Sequence, residues 1–143
     1  MARLLKTICF AAGSAIYSAV TASAQTSCPS QDIHAFVKAF QEDVKVQQAF
    51  TVRPLESIRV NGNAQPEPAP VTEFLDGDKL VFPLIATAEA QAKEKLRSEI
   101  RSMGDAHELK LFVPDTGIQV RYLFRKRSDG TCWELYRVAD DTF

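Results

Sequence analysis

Two alternating runs of apolar and polar residues, Ile118–Arg127 and Thr131–Val138, flank Ser128, Asp129 and Gly130. Asp-Gly between alternating runs is the strongest short-range hairpin signal a sequence carries. In the first run Ile118, Val120, Tyr122 and Phe124 share one face, and Gln119, Arg121, Leu123, Arg125 and Arg127 share the other. In the second, strict alternation puts Cys132, Glu134, Tyr136 and Val138 opposite Trp133, Leu135 and Arg137. One face of this hairpin must therefore lie on a hydrophobic core. The expected inward face includes a cysteine and one carboxylate, Glu134.

The other end of the chain sets the compartment in which that cysteine is read. Arg3 and Lys6 form a positive start, Leu4–Val20 is dominated by apolar and small residues with no charge after Lys6, and Ala22-Ser23-Ala24 follow. Those parts make a Sec signal peptide over residues 1–24, with cleavage after Ala24 and Gln25 as the first mature residue. The run from Ile8 to Val20 falls short of the about 20 apolar residues a membrane span needs. The expected product, residues 25–143, is one exported domain, periplasmic or secreted, with no stable membrane insertion.

Arg3 and Lys6 leave with the peptide, so 17 basic residues become 15 against 18 acidic ones, and the net charge moves from −1 to −3. That balance excludes a nucleic-acid footprint, which needs a strongly basic face. Cys9 also leaves, and Cys28 and Cys132 remain. An even count in an exported domain reads as a disulfide. Two isolated cysteines without paired histidines do not make a zinc site, and no metal or cofactor is expected.

Ser30 is a suitable N-cap, and Ile33, Phe36, Val37, Phe40 and Val44 recur at helical spacing. The stripe predicts one helix whose apolar side lies on the hairpin. Beyond it Leu55–Val60 reads as a strand, Asn61–Pro70 as an exposed proline-bearing loop, Asp76–Asp78 as a turn and Lys79–Phe82 as a short strand. A second helix is expected from Thr87 to Met103 on the stripe Ala88, Ala92, Leu96, Ile100 and Met103, stopped by Gly104. Glu108–Val113 reads as a strand with Leu109, Leu111 and Val113 on one face, and Pro114–Gly117 as a turn. The expected fold is α+β: a curved antiparallel sheet, ending in a three-stranded meander, with two main helices packed on one face in a cone-like arrangement.

That order resembles the cone-shaped fold of the nuclear transport factor 2-like (SnoaL-like) superfamily. Phe36-Val37-Lys38-Ala39-Phe40, Asp43, Gln47-Gln48, Phe50 and Pro54, with Trp133-Glu134-Leu135-Tyr136 and Asp140, resemble exported bacterial domains of unknown function. A cystatin-like arrangement is a neighbouring architecture. The resemblance implies a concave sheet with a helix closing a pocket, and Phe36, Phe40, Tyr122, Glu134 and Tyr136 are its candidate lining.

Three functions fit. One is an exported module binding a small ligand or protein partner in the cell envelope. Another is an inhibitor or immunity protein for an envelope-active toxin. The third is a pocket enzyme, which needs an acid–base pair; neither His34 nor His107 falls on an expected core face, and Glu134 is the one inward-leaning titratable group of the hairpin. Separately, Arg121, Arg125 and Arg127, extended by Arg137, form a candidate docking face for an acidic partner. Otherwise they are a solvated face that keeps an edge from pairing with other chains.

Overall fold

The computed structural model describes residues 26–142. The expected signal peptide, residues 1–24, lies outside them. Helix α1 (Ile33–Glu42) and the short α2 (Val44–Ala49) lead into β1 (Thr51–Asn61) and β2 (Ala69–Leu75). A single 3₁₀ turn (Gly77–Lys79) and α3 (Ala88–Lys93) precede four consecutive strands: β3 (Arg97–Met103), β4 (Ala106–Phe112), β5 (Gln119–Lys126) and β6 (Trp133–Asp140). They form one six-stranded sheet in the order β2-β1-β6-β5-β4-β3. Every neighbouring pair is antiparallel except β1 and β6, which run parallel, so the sheet is mixed where an all-antiparallel one is expected.

The α1 stripe buries Ile33, Phe36, Val37 and Phe40, but Val44 is 40% exposed. Asp43 is the reason. It closes α1, and its carboxylate accepts from the Lys45 N–H at 2.8 Å to open α2. An Asp that caps its own neighbour competes with helix continuation. The new helix then buries Val46 and Gln47. Ahead of α1 the cap is Asp32, which accepts from Ala35 N–H at 2.9 Å; the expected cap, Ser30, instead accepts from Asp32 N–H.

The second long helix does not form. After α3 the Lys95 backbone turns left-handed (φ 60°), while Leu96 N–H reaches Gln91 C=O and Lys95 N–H reaches Ala92 C=O. This is a Schellman stop with lysine where glycine is usual. From Arg97 the chain is an edge strand. Its Ile100 packs against the core, while Arg97, Glu99 and Arg101 are charged and exposed, which discourages edge-to-edge pairing. Gly104 (φ 66°) opens the two-residue turn into β4 rather than capping a helix.

Two further expectations fail between β1 and α3. The proline-bearing loop ends in strand β2, and the expected strand Lys79–Phe82 is the end of the 3₁₀ turn followed by irregular chain that sends Leu80 into the core. With Ile85, which is 1% exposed, this covering segment packs against the helical side of the sheet.

A register shift between β5 and β6 decides what the hairpin presents. Leu123 pairs with Arg137 but Phe124 pairs with Leu135, so Tyr136 has no partner across the ladder. This β-bulge reverses the alternation in β6. Trp133 and Leu135 enter the core before it and Val138 packs there after it, while Glu134 and Tyr136 do not. The core centres on Phe124, which meets Phe40 at 5.3 Å and Phe36 at 6.0 Å between ring centroids, both edge-on. Cys28, just ahead of α1, is bonded to Cys132 with Cα atoms 5.6 Å apart.

Phe36, Phe40 and Phe124 have no exposed surface. Phe40→Ala is expected to destabilise the domain by about 3–5 kcal/mol, read by urea unfolding. A loss below about 1 kcal/mol would mean that α1 is not what closes the core.

Candidate functional site

The sheet has two unlike faces. On the helical side, the covering segment from Pro83 to Leu96 crosses β4 and β5 and leaves a groove of about 380 Å3. Leu111, Val120 and Tyr122 form its floor, and Leu84, Leu96 and Ile118 are among its walls. Glu94 is the one charged side chain in the lining, and it is exposed.

Polar side chains buried beneath the segment hold it over the sheet. Gln47, 1% exposed, donates from Nε2 to Ile85 C=O at 3.0 Å, and its Oε1 accepts from Leu84 N–H at 2.6 Å. The Tyr122 hydroxyl donates to Leu84 C=O at 3.1 Å. At the surface, where α3 begins, Ala88 N–H reaches the exposed Glu42 carboxylate at 3.0 Å. These bonds satisfy backbone groups that an irregular buried segment cannot pair for itself.

Burial pushes the Tyr122 phenol up to about 12, because the phenolate would lose its hydration there.

Of the expected pocket residues, Tyr122 alone lines this groove. Phe36 and Phe40 are sealed inside the aromatic core, and Glu134 and Tyr136 lie with the arginines. Strand pairing sets one residue from each strand in a row across the opposite face: Phe74, Glu56, Arg137, Leu123, Glu108 and Arg101. Arg137 Nε donates to Glu56 at 2.8 Å, and Arg101 Nη2 lies 2.6 Å from Glu108 Oε1. Beside that row Arg125 pairs with Glu134 at 2.9 Å, Arg127 reaches Glu134 at 3.7 Å, and Arg121 pairs with Asp141 at 2.6 Å. Tyr136 lies under the Arg125 and Arg137 guanidinium groups, 5.1 and 5.7 Å from its ring centroid.

Each of the four arginines therefore already faces a carboxylate. Each guanidinium keeps further N–H donors beyond those contacts.

Glu108 is the residue that sequence reasoning missed. Its alternation with Leu109 and Leu111 points it away from the helices, yet its side chain has no exposed surface. Oε1 is taken by Arg101. Oε2 lies 3.7 Å from Arg121, close enough to pair but beyond a hydrogen bond. The stems of long side chains can cover such a group while their charged ends reach water.

Both histidines lie away from the groove. His34 is exposed on α1, and His107 packs edge-on against Trp133 at 4.9 Å. Among the described residues no cluster of three or more His, Cys, Asp or Glu is placed to hold a metal ion.

The fold is that of the nuclear transport factor 2-like proteins: a curved mixed sheet with few helices, laid on one side of it. The structure is similar to that of an NTF2-like protein from Bacteroides fragilis, with a TM-score of 0.50 and 15% sequence identity, covering 79% of this chain. The match spans 48% of that protein's length, and at this identity the likeness is one of fold. No protein-family model and no curated protein matches the sequence.

Two outcomes follow from the buried polar groups. Glu108→Gln takes the charge partner from Arg101 and leaves Arg121 with Asp141 alone, and a loss of about 1.5–3 kcal/mol, the range for hydrogen bonds to charged groups, is expected in denaturant unfolding. Glu108→Leu removes the hydrogen-bonding oxygen as well as the charge at similar volume: if both variants were as stable as the unsubstituted protein, the ion pairs would drop out of the account.

Tyr122 carries a pH signature. Its folded pKa lies above the ordinary value of about 10, so its contribution is complete below pH 10. Between about pH 10 and 12 the unfolded chain releases this proton first, and stability falls as pH rises. Tyr122→Phe should flatten that part of the stability profile relative to the unsubstituted protein.

Proposed function

We propose that the mature chain is an exported binding domain that takes a small, largely apolar ligand in the groove between β4, β5 and the covering segment. The observation that carries this reading is the groove itself: a concavity of about 380 Å3 whose floor is Leu111, Val120 and the ring of Tyr122. Ligand sites are mostly concave and apolar, with few polar groups that set orientation. The fold supports it as well, since an NTF2-like sheet offers a concave face for a pocket.

Binding suits the lining better than chemistry does. The Tyr122 hydroxyl is already committed to Leu84, and no second titratable group stands beside it in the groove apart from exposed Glu94. Export is supported by the n-region, apolar run and Ala22-Ser23-Ala24 site. The Cys28–Cys132 bond is compatible with an oxidising compartment. Among the described residues no helix is long and apolar enough to cross a membrane.

A panel of small apolar compounds, including aliphatic alcohols and planar aromatics, screened by ligand-observed NMR should give binders that Ile118→Asp and Leu96→Asp weaken. Each substitution puts a charge in the groove wall without touching the aromatic core, and a loss of about tenfold or more is expected, since burying a charge without a partner costs over 1.4 kcal/mol. Binding that is indifferent to both substitutions would place the ligand elsewhere. Mass spectrometry of the exported product should find Gln25 at its N-terminus.

A further inference from the structure

We propose that the Cys28–Cys132 bond is a thiol-exchange site, at which a small zwitterionic thiol of the cysteine or glutathione class forms a mixed disulfide with Cys28. The two sulfurs are unequal. Cys132 is 1% exposed, whereas Cys28 is half-buried, and both line a cleft of about 630 Å3 with Phe50, Arg127, Asp129 and Thr131. In thiol–disulfide exchange, access decides which sulfur a thiolate attacks. Here that sulfur is Cys28 Sγ, and Cys132 is the leaving group.

The cleft also carries one charge of each sign. The Arg127 guanidinium is fixed by its bond to Ala49 C=O at 2.8 Å and lies over the Phe50 ring at 4.8 Å. The Asp129 carboxylate accepts from Thr131 N–H at 2.9 Å and from Thr131 Oγ1 at 2.7 Å. The bond from the Thr131 N–H is the main reason that its pKa stays below the ordinary carboxylate value. An amino-acid thiol matches this pair: its carboxylate suits the planar fork of Arg127, and its ammonium suits Asp129.

The step balances without another reagent. The incoming thiolate places its electron pair in a new S–S bond to Cys28 Sγ, and the Cys28–Cys132 bond breaks with its pair leaving on Cys132. A second thiolate attacking the adduct releases the small-molecule disulfide and leaves Cys28 as a thiolate, so the protein gains two electrons and the thiols lose two. The domain retains its other anchors: Trp133 Nε1 still donates to Gln31 C=O at 3.0 Å, and Phe36 and Phe40 remain in the core. Exchange therefore frees Cys28 from the sheet while Gln31 and α1 stay docked.

The test uses the native, oxidised protein with cysteine, glutathione and the uncharged thiol 2-mercaptoethanol. Adducts are trapped by acid and mapped by peptide mass spectrometry. Each rate is divided by that thiol's rate on the urea-unfolded chain, which removes intrinsic differences in nucleophilicity. The adduct is expected on Cys28, with the zwitterionic thiols favoured by about two- to fivefold, the scale of partly exposed charge pairs. Asp129→Asn, at a side chain whose hydrogen bonds come from the exposed Thr131, should reduce that preference, and Arg127→Gln should reduce it further where the variant folds. An adduct on Cys132, equal normalised rates for all three thiols, or exchange only at the rate of global unfolding would each overturn the proposal.

Discussion

Phe124 holds the centre of this domain. It is fully buried on β5, and α1 lays Phe36 and Phe40 against it edge-on. Aromatic pairs in this geometry add about 0.5–1.5 kcal/mol to the burial of their surface. Phe50 extends the cluster from the end of α2, meeting Phe36 at 5.7 Å. Through these rings α1, α2 and β5 are fixed relative to one another. That places Gln47 beneath the covering segment and so gives the groove its roof.

The bulge at Tyr136 is the second device on which the site depends. A regular β6 could not put both Leu135 and Val138 on the core side, because they are an odd number of residues apart. The extra residue permits it and leaves Tyr136 with Arg125 and Arg137. The same shift keeps Glu134 among the arginines. One face of the sheet is consequently a mesh of cross-strand ion pairs, and the groove on the other is left almost free of charge. With exposed Glu94 as the one carboxylate in its lining, the groove suits the apolar ligand proposed for it.

How far the sequence is legible varies with how local the governing interaction is. The α1 stripe, the Ser128–Gly130 hairpin and the inward Leu109 and Leu111 follow from periodicities that each segment carries within itself. The pairing of Cys28 with Cys132 follows from counting cysteines in the expected mature chain. The strand at Arg97–Met103 was hidden because Ala92, Leu96, Ile100 and Met103 also satisfy a helical period, and the left-handed stop falls on Lys95 rather than on a glycine. Strand β2 was hidden by the prolines just ahead of it and by Pro70 within it, which is tolerated because the strand lies at the sheet edge.

By itself, then, the sequence determined which segments must bury a face: α1 by its 3.6-residue repeat, and the β4–β6 region by alternation and turn residues. Only the tertiary structure decided the parallel pairing of β1 with β6, the bulge at Tyr136 and the burial of Glu108. Each of these is set by contacts between residues far apart in the chain. Glu108 reads as a surface carboxylate until Arg101 and Arg121, on the two flanking strands, reach it. The groove has the same origin, since its floor comes from β4 and β5 and its roof from a segment with no repeating pattern. That roof is held by two hydrogen bonds with Gln47 and one from Tyr122, whose partners no local pattern could name.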